Sequence, residues 1–396
     1  MTRAIRTRVA IVGGGPAGLL LSHLLGEAGI ESVVIDRRSR EHIETTVRAG
    51  ILEQGTVEVL DRLGEHSRAR TTGLRHDGIE VHFAEEAHRI PFQDLVGRSV
   101  WLYPQHEALK DLIAARLAAG QDIRFGMTAE HVADATSDRP RVVATDARGA
   151  TFEIDAEFVV GADGSRSVTR GAVAGSRSGP HADGCFHEYP FAWFGILCEA
   201  PPSADELVYS SSPGGFALIS QRSATVQRMY FQCAPDDDAS AYSEAQLWDI
   251  LQQRVPGVAL KEGPIFQRDI LRFRSFVARD LLRGRVALIG DAAHTVPPTG
   301  AKGMNLAVAD ALVLADALGA LLLERDARPL AAFPETALRR IWRAQHFSWW
   351  MTNMLHTAAD ASEFDRHRQV GELRGVVGSR AGSAYLAEAY TGWPLP

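Results

Sequence analysis

Val9-Ala10-Ile11-Val12-Gly13-Gly14-Gly15-Pro16-Ala17-Gly18, followed by Val33-Val34-Ile35-Asp36, is the stretch on which the fold turns. Four apolar residues in a row predict a short buried strand, and the run from Leu19 to Leu25 predicts a helix ending at Gly29. Val33–Ile35 then predicts a second buried strand, so the segment reads as a βαβ unit with a parallel pair. The glycines at 13, 15 and 18 stand where strand hands over to helix. There they permit a tight turn, close backbone approach to a pyrophosphate and close helix packing, while the helix N-terminus offers N–H groups to the phosphates. Asp36 ends the second strand, where a carboxylate can hold ribose hydroxyls. A glycine turn alone has a purely architectural reading. Both strands and the terminal acid together point to a dinucleotide, without separating FAD from NAD.

Outward from this unit, helices are expected over 52–63 and 107–118, and strands over 141–144 and 152–160. Between 181 and 280 prolines at 201, 202 and 213 separate β-rich segments at 206–210, 215–220 and 228–232, which predicts a sheet-based unit. The apolar α/β pattern returns at Arg285–Asp291, and the remainder is mainly helical. The expected fold is α/β: a Rossmann-like dinucleotide-binding domain over 1–180, an inserted β-sheet-rich (α+β) substrate domain over 181–280, and a helical C-terminal part over 281–396 that completes the cofactor site.

Composition narrows the function. The 396 residues carry 42 Lys+Arg against 49 Asp+Glu, a net −7, which argues against nucleic acid and against a membrane surface as partner. Cys185, Cys198 and Cys233 are odd in number and lack metal-ligand spacing, so no metal is expected and they read as free buried thiols in a reducing, cytoplasmic compartment. The apolar run near 306–323 contains Asp310 and Asp316 and reads as a core helix, not a membrane span.

Two later segments, Val159-Val160-Gly161-Ala162-Asp163-Gly164 and Arg285 to Asp291 with His294 beyond, are each an ordinary strand and turn taken alone. Combined with the glycine turn in this order, they make the chain resemble the class A flavoprotein aromatic monooxygenases. That resemblance implies FAD as cofactor, NADPH or NADH as reductant, O2 as co-substrate, and oxygen transfer through a flavin C4a-hydroperoxide. By it Asp291 binds the FAD ribityl chain, and Asp163 lies in a turn shared by FAD and the nicotinamide. Gly13, Gly15, Ala17, Gly18, Asp36, Arg37, Arg48, Gln54, Gln105 and Arg228 join the cofactor site. The loop Pro297–Gly303 opens a helix at Met304-Asn305 whose free N–H groups can stabilise charge on the pyrimidine edge of a reduced flavin.

The stretch Ser220-Gln221-Arg222-Ser223-Ala224-Thr225-Val226-Gln227-Arg228-Met229-Tyr230 predicts a hairpin turning around 223–227. Alternation then sets Ser220 and Arg222 on one face, with Arg228 and Tyr230 across from them. Two guanidiniums so close need an anion between them; a solvated polar edge is the plainer reading. Nearly the whole chain is similar to the branch of the family that hydroxylates 4-hydroxybenzoate at C3, including Arg48–Gly55, Gly215–Leu218, Pro297–Asn305 and Phe347–Thr352. The resemblance implies that Ser220, Arg222 and Tyr230 hold the substrate carboxylate, that Tyr209 contacts the phenolic oxygen, and that Tyr390 and then His76 pass its proton to solvent. Pro298 and Asn305 adjoin substrate and flavin. A homodimer is implied as well.

Arg37, Arg38, His42, Arg48, Arg166 and Arg274 are the residues implied for the nicotinamide. Thr46 and Arg166 depart from the family's arginine and histidine, which leaves NADH versus NADPH open. Two alternatives stand beside this reading: a related hydroxylase of another aromatic acid (3-hydroxybenzoate or 4-aminobenzoate), and a non-catalytic dinucleotide sensor, which would leave the polar hairpin unused.

Overall fold

In the computed structural model, which describes residues 3–47, 50–175 and 183–395, Val9–Val12 is the buried half of a ten-residue strand, Arg3–Val12. It pairs in parallel with Ser32–Asp36 on one side and with Thr151–Gly161 on the other. Ile123–Phe125 extends the parallel sheet beyond Ser32–Asp36, and Val286–Leu288 extends it beyond Thr151–Gly161. A strand from the last third of the chain thus completes a sheet begun at residue 3. The helix Pro16–Glu27 buries Leu19, Leu20, Leu21 and Leu25, the apolar stripe that its sequence carries.

A second sheet runs Glu86–Pro91, Gly78–Phe83, Leu207–Ser212, Gly215–Gln221, Val226–Cys233, Gly184–Glu199, Ile265–Ala278 and His294–Thr295. Its middle strands alternate strictly. One face presents Phe194, Ile196, Val208, Ala217, Ile219, Met229 and Phe231, packed with Leu247, Trp248 and Leu251 of the helix Glu244–Arg254. The period of two sends Tyr209, Ser220, Arg222, Arg228 and Tyr230 to the other face. The apolar cover on the first side leaves the polar set free to build a pocket. The expected hairpin forms, but it closes between Gln221 and Val226 in a tighter register than the turn around 223–227 implied, so Ser220, not Arg222, stands opposite Arg228, and Leu218 opposite Tyr230.

A small third sheet joins Ile51–Glu53, Val100–Leu102 and Leu74–His76. Residues 52 and 53, expected in a helix, are therefore strand; the helix starts at Gln54 and passes into a 3-10 turn at Asp61. The reason is Asn305, whose side-chain amide binds the backbone of both Ile51 and Glu53 from another element. The helix Gly303–Gly319, prolonged by a π turn to Glu324, is long and apolar enough by composition to cross a membrane. Here it buries ten of its residues, Asp310 among them, and packs against Pro16–Glu27 and the 28-residue helix Arg328–Leu355. Of the three free cysteines, Cys198 is buried, whereas Cys185 is exposed at the edge of its strand, contrary to expectation.

Candidate active site

Gly13 turns the chain out of the first strand at φ +115°, and a Cβ there would lie 2.2 Å from the Ala162 carbonyl oxygen. Only glycine lets the turns at 13–15 and 161–164 touch. A Cβ on Gly18 would meet the Gly13 oxygen at 2.0 Å, so that helix and strand pack backbone to backbone. Gly15 and Gly164, by contrast, face open space with no heavy atom within 4 Å. The helix starting at Pro16 has no side-chain cap and no acid in its first turn. Its N–H groups at Ala17 and Gly18 therefore point their positive end into that space.

Asp36 is buried, and its carboxylate accepts hydrogen bonds from Gly14 N (2.7 Å) and from Arg38 N, Nε and Nη2 (2.8, 2.9 and 2.7 Å). Burial works against its charge, but the Arg38 guanidinium outweighs it and holds the carboxyl below its ordinary value. Asp36 is thus ionised beside the glycine turn, sharing its acceptor capacity with Arg38. Asp163 accepts from Ser167 Oγ, Val168 N, Thr169 N and Thr169 Oγ1, which fixes the turn it ends. Asp291 sits exposed on the 3-10 turn Gly290–Ala292. Gln105 opens the helix Gln105–Ala118, and a Cβ on Gly50 would lie 2.8 Å from its amide nitrogen. Gln54 is tied to Glu58 and to Ser99 N.

The helix Gly303–Gly319 also begins without a side-chain cap or an acidic first turn, so Gly303, Met304 and Asn305 offer a second positive terminus. The Asn305 amide itself makes four bonds: Oδ1 accepts from Glu53 N and Thr56 Oγ1, and Nδ2 donates to the Ile51 and Ala301 carbonyls. Two uncapped helix starts, an open glycine turn and an ionised acid at the strand end match FAD, which carries a pyrophosphate, a ribose and an anionic ring edge when reduced.

On the polar face of the second sheet, Arg222 Nη1 donates to Ser220 Oγ (3.3 Å) and to the Gln221 carbonyl (2.8 Å). Ser220 Oγ donates to the Arg228 carbonyl at 2.6 Å. Tyr230 adjoins both guanidiniums, and the Arg228 cation lies 4.8 Å from its ring centre. Burial, with the nearby Arg228 charge, pulls Arg222 below its usual pKa, partly offset by Tyr230. Arg228 is neutralised by Asp269 at 2.5 Å, but among the described residues no acid pairs with Arg222. The Nε atoms of Arg222 and Arg228 are buried and unpartnered among the described residues. A partly buried cation with a buried spare donor is a site for an anion.

Tyr209, two strands away from Tyr230, points its hydroxyl at that of Tyr390, 2.6 Å off and wholly buried, with the Thr299 carbonyl at 3.4 Å. Burial raises the pKa of both phenols above their ordinary value. His76 is buried in the third sheet, its Nδ1 has no partner among the described residues, and burial holds its pKa down, which favours the neutral ring. Pro298 starts the 3-10 turn Pro298–Gly300 beside Thr299.

The residues implied for the nicotinamide are scattered. Arg37, His42 and Arg166 are exposed, Arg38 is committed to Asp36, and Arg48 lies outside the described residues. Arg274 lines a cavity of about 190 Å³ with Ser165, Arg170, Asp183 and Thr295. A larger cavity of about 390 Å³ lies between Gln54, Glu58, Arg98 and Trp393 and contains none of the tyrosine–arginine set.

Three buried pairs were not singled out by the sequence reading. Lys302 Nζ donates to Glu53 Oε1 (2.6 Å) and to the Tyr390 carbonyl (3.0 Å), with Phe347, Tyr390 and Trp393 rings 5.1–5.9 Å away. His294 Nε2 meets Asp310 Oδ2 at 2.6 Å, which also accepts from Gly290 N; burial opposes the imidazolium, but Asp310 raises its pKa overall. His356 Nδ1 donates to the Thr352 carbonyl (2.8 Å) and Nε2 accepts from Trp193 Nε1 (2.6 Å). Each pair spans 16 residues or more in sequence, except the His356–Thr352 bond, so no local pattern marks them.

Burial pushes the His356 pKa down to about 3. The unfolded chain, with histidine near its ordinary value of 6.5, binds a proton that the folded chain refuses. This contribution to stability is therefore complete above pH 6.5 and declines as pH falls towards 3. We expect His356→Phe to flatten the dependence of Tm on pH between 6.5 and 4.5, as thermal melts would show; an unchanged slope would mean that the imidazole is already charged in the fold.

A family model for the FAD binding domain matches residues 6–348. The chain belongs to that family, the FAD-dependent flavoprotein aromatic hydroxylases. It is 38% identical over 396 residues to the p-hydroxybenzoate hydroxylase of Acinetobacter baylyi, covering 99% of this chain and 96% of that enzyme. Among solved structures, a p-nitrophenol 4-monooxygenase from Pseudomonas putida superposes with a TM-score of 0.81 at 20% identity, over 99% of each chain. An aklavinone-11 hydroxylase, solved with FAD and aklavinone, superposes at 0.72 with 22% identity over 90% of this chain and 70% of its own. At those identities the two structures speak to the fold.

Proposed function

We propose that this enzyme hydroxylates 4-hydroxybenzoate at C3, giving 3,4-dihydroxybenzoate, with FAD, O2 and NADPH or NADH. The observation that carries the proposal is the buried Tyr209–Tyr390 hydroxyl pair on the same sheet face as the under-neutralised Arg222. One end of the pocket suits a carboxylate and the other a phenol. The relationship to the Acinetobacter enzyme supports the same substrate.

Gly13, Gly15, Ala17 and Gly18 would hold the FAD pyrophosphate and Asp36 its ribose, with Gln54, Gln105, Asp163, Arg228 and Asp291 along the cofactor. The N–H groups of Gly303, Met304 and Asn305 would face the ring edge. When bound and reduced by the nicotinamide, FAD supplies the activated oxygen. The chain's own residues must make the substrate ring nucleophilic. A neutral phenol is a poor nucleophile and a phenolate a good one, with the oxygen's charge delivered to the ring carbons beside it, C3 among them. Tyr209 accepts a hydrogen bond from the substrate phenol while donating to Tyr390, so each hydroxyl hands a proton on and takes one up. Neither tyrosine acts as a base, since burial keeps both protonated. His76, neutral and with an open Nδ1, is the proposed acceptor at the end. Ser220, Arg222 and Tyr230 fix the carboxylate, and the Pro298 backbone closes over the ring. Arg37, Arg38, His42, Arg48, Arg166 and Arg274 are the proposed nicotinamide contacts. A cytoplasmic homodimer is the setting that this reading implies.

We expect Arg222→Gln to raise KM for 4-hydroxybenzoate by about 10–100-fold, the worth of a charge-assisted hydrogen bond. The KM for the nicotinamide should stay within about twofold. Steady-state kinetics with each substrate varied in turn would check it. The function itself is tested by incubating the FAD-loaded enzyme with 4-hydroxybenzoate and each nicotinamide in air and identifying the product. Formation of 3,4-dihydroxybenzoate supports it. Preferential turnover of 3-hydroxybenzoate or 4-aminobenzoate would move the enzyme elsewhere in the family, and no substrate-dependent NAD(P)H oxidation would favour a sensor.

A further inference from the structure

His356 caps the helix Arg328–Leu355 and packs its buried ring on the face of the second sheet that carries Tyr209 and Tyr230, against Trp193, Phe216 and Phe273. Its ring stacks on Phe191 (4.7 Å between centres, 10° between planes) and lies 4.2 Å from Phe216 and 5.6 Å from Phe273. Because a carbonyl accepts only and an indole N–H donates only, the bonds to Thr352 and Trp193 fix one neutral tautomer, with the proton on Nδ1. Trp193, so held, stacks on Phe216 at 5.4 Å and sits 4.7 Å from the Tyr230 ring. Phe216 in turn lies 6.1 Å from the Tyr209 ring. The backbone beyond His356 is anchored too: Gln369 Nε2 donates to the His356 carbonyl, and Gln232 Nε2, from the sheet, donates to that of Thr357.

Two chains of ring contact leave His356, one through Trp193 to Tyr230 and one through Phe216 to Tyr209. We propose that His356 is a positioning residue that sets the span between the carboxylate end and the phenol end of the substrate pocket. The inference rests on the reading of Tyr230 and Tyr209 as substrate contacts. It goes beyond that reading by assigning control of their separation to a side chain in neither group. An aromatic acid of one ring must be gripped at both ends at once, so a wall that loosens should cost binding and misalign the ring against the oxygen donor. NAD(P)H is then consumed without hydroxylated product.

The experiment compares holoenzymes of the parent, His356→Phe, His356→Gln and Trp193→Phe. Phe at 356 keeps a ring for stacking but offers no acceptor, leaving the buried Trp193 N–H unsatisfied. Gln restores an acceptor and a donor. Trp193→Phe breaks the same bond from the other side, and reads the inference out if His356→Phe fails to fold. For both Phe variants we expect KM for 4-hydroxybenzoate to rise about tenfold and product per NAD(P)H to fall by about half or more, with FAD content and the nicotinamide KM at parental values. Gln should lie within about threefold of the parent. Parental KM and coupling in the Phe variants would overturn the inference. So would a joint loss of FAD content and of affinity for both substrates, which marks a general fold defect. Failure of the underlying reading is distinct, since the parent itself would then not hydroxylate 4-hydroxybenzoate.

Discussion

In Tyr209→Phe, formation of 3,4-dihydroxybenzoate falls by about 10²–10⁴-fold, the range for loss of a positioned proton-transfer group. The variant's flavin is still bleached by NAD(P)H. The substitution removes one oxygen and keeps the ring that packs near Phe216 and edge-on to Tyr390. What disappears is the 2.6 Å hydroxyl pair, which strands the buried Tyr390 hydroxyl and leaves the substrate phenol with no path for its proton. The residues proposed for the nicotinamide and the glycine turn lie on other elements, so reduction should be spared. Stopped-flow absorbance separates the two halves of the cycle, and chromatography of the product completes the test. Unchanged hydroxylation would remove Tyr209 from the mechanism.

The second large effect is on stability. Lys302→Met leaves Glu53, itself buried, without its cation, and breaking one partner out of such a pair costs about 3–5 kcal/mol. Burial already pulls the Lys302 ammonium below its ordinary pKa, and Glu53 restores part of it, so the pair stands or falls together. The double variant Lys302→Met with Glu53→Gln should recover part of the loss, because no unpaired charge remains. Urea melts of the three proteins, followed by tryptophan fluorescence, decide the matter. A single variant within about 1 kcal/mol of the parent would mean that water reaches Glu53. The Tyr390 carbonyl also loses its Lys302 bond, which joins this stability effect to the proton path.

What the sequence revealed followed from the range of each contact. Gly13–Gly18 with its flanking strands was legible because turn, strand and helix start are all local. So was the 215–233 hairpin, whose alternation of two sends Ser220 and Arg222 to the same face. Gly78–Phe83 is different: it pairs in parallel with Leu207–Ser212, more than a hundred residues later, and nothing within six residues foretells a partner. The 16-residue strand Gly184–Glu199 is buried almost continuously over its second half, which hides its period. Residues 52 and 53 read as helix because the amide that draws them into a strand arrives from Asn305. Within the site, Tyr209, Tyr390 and His76 were reached only through family resemblance, and Lys302, Glu53 and His356 escaped even that, being buried polar residues with distant partners.

The central claim is a pocket that holds an aromatic acid by its carboxylate at Arg222 and by its phenol at Tyr209. A crystal structure of the FAD complex with 4-hydroxybenzoate tests it most directly. The account predicts carboxylate oxygens within about 3 Å of Arg222 and Ser220 and the phenolic oxygen within about 3 Å of Tyr209 Oη. A ligand bound the other way round, or seated away from that sheet face, would contradict it.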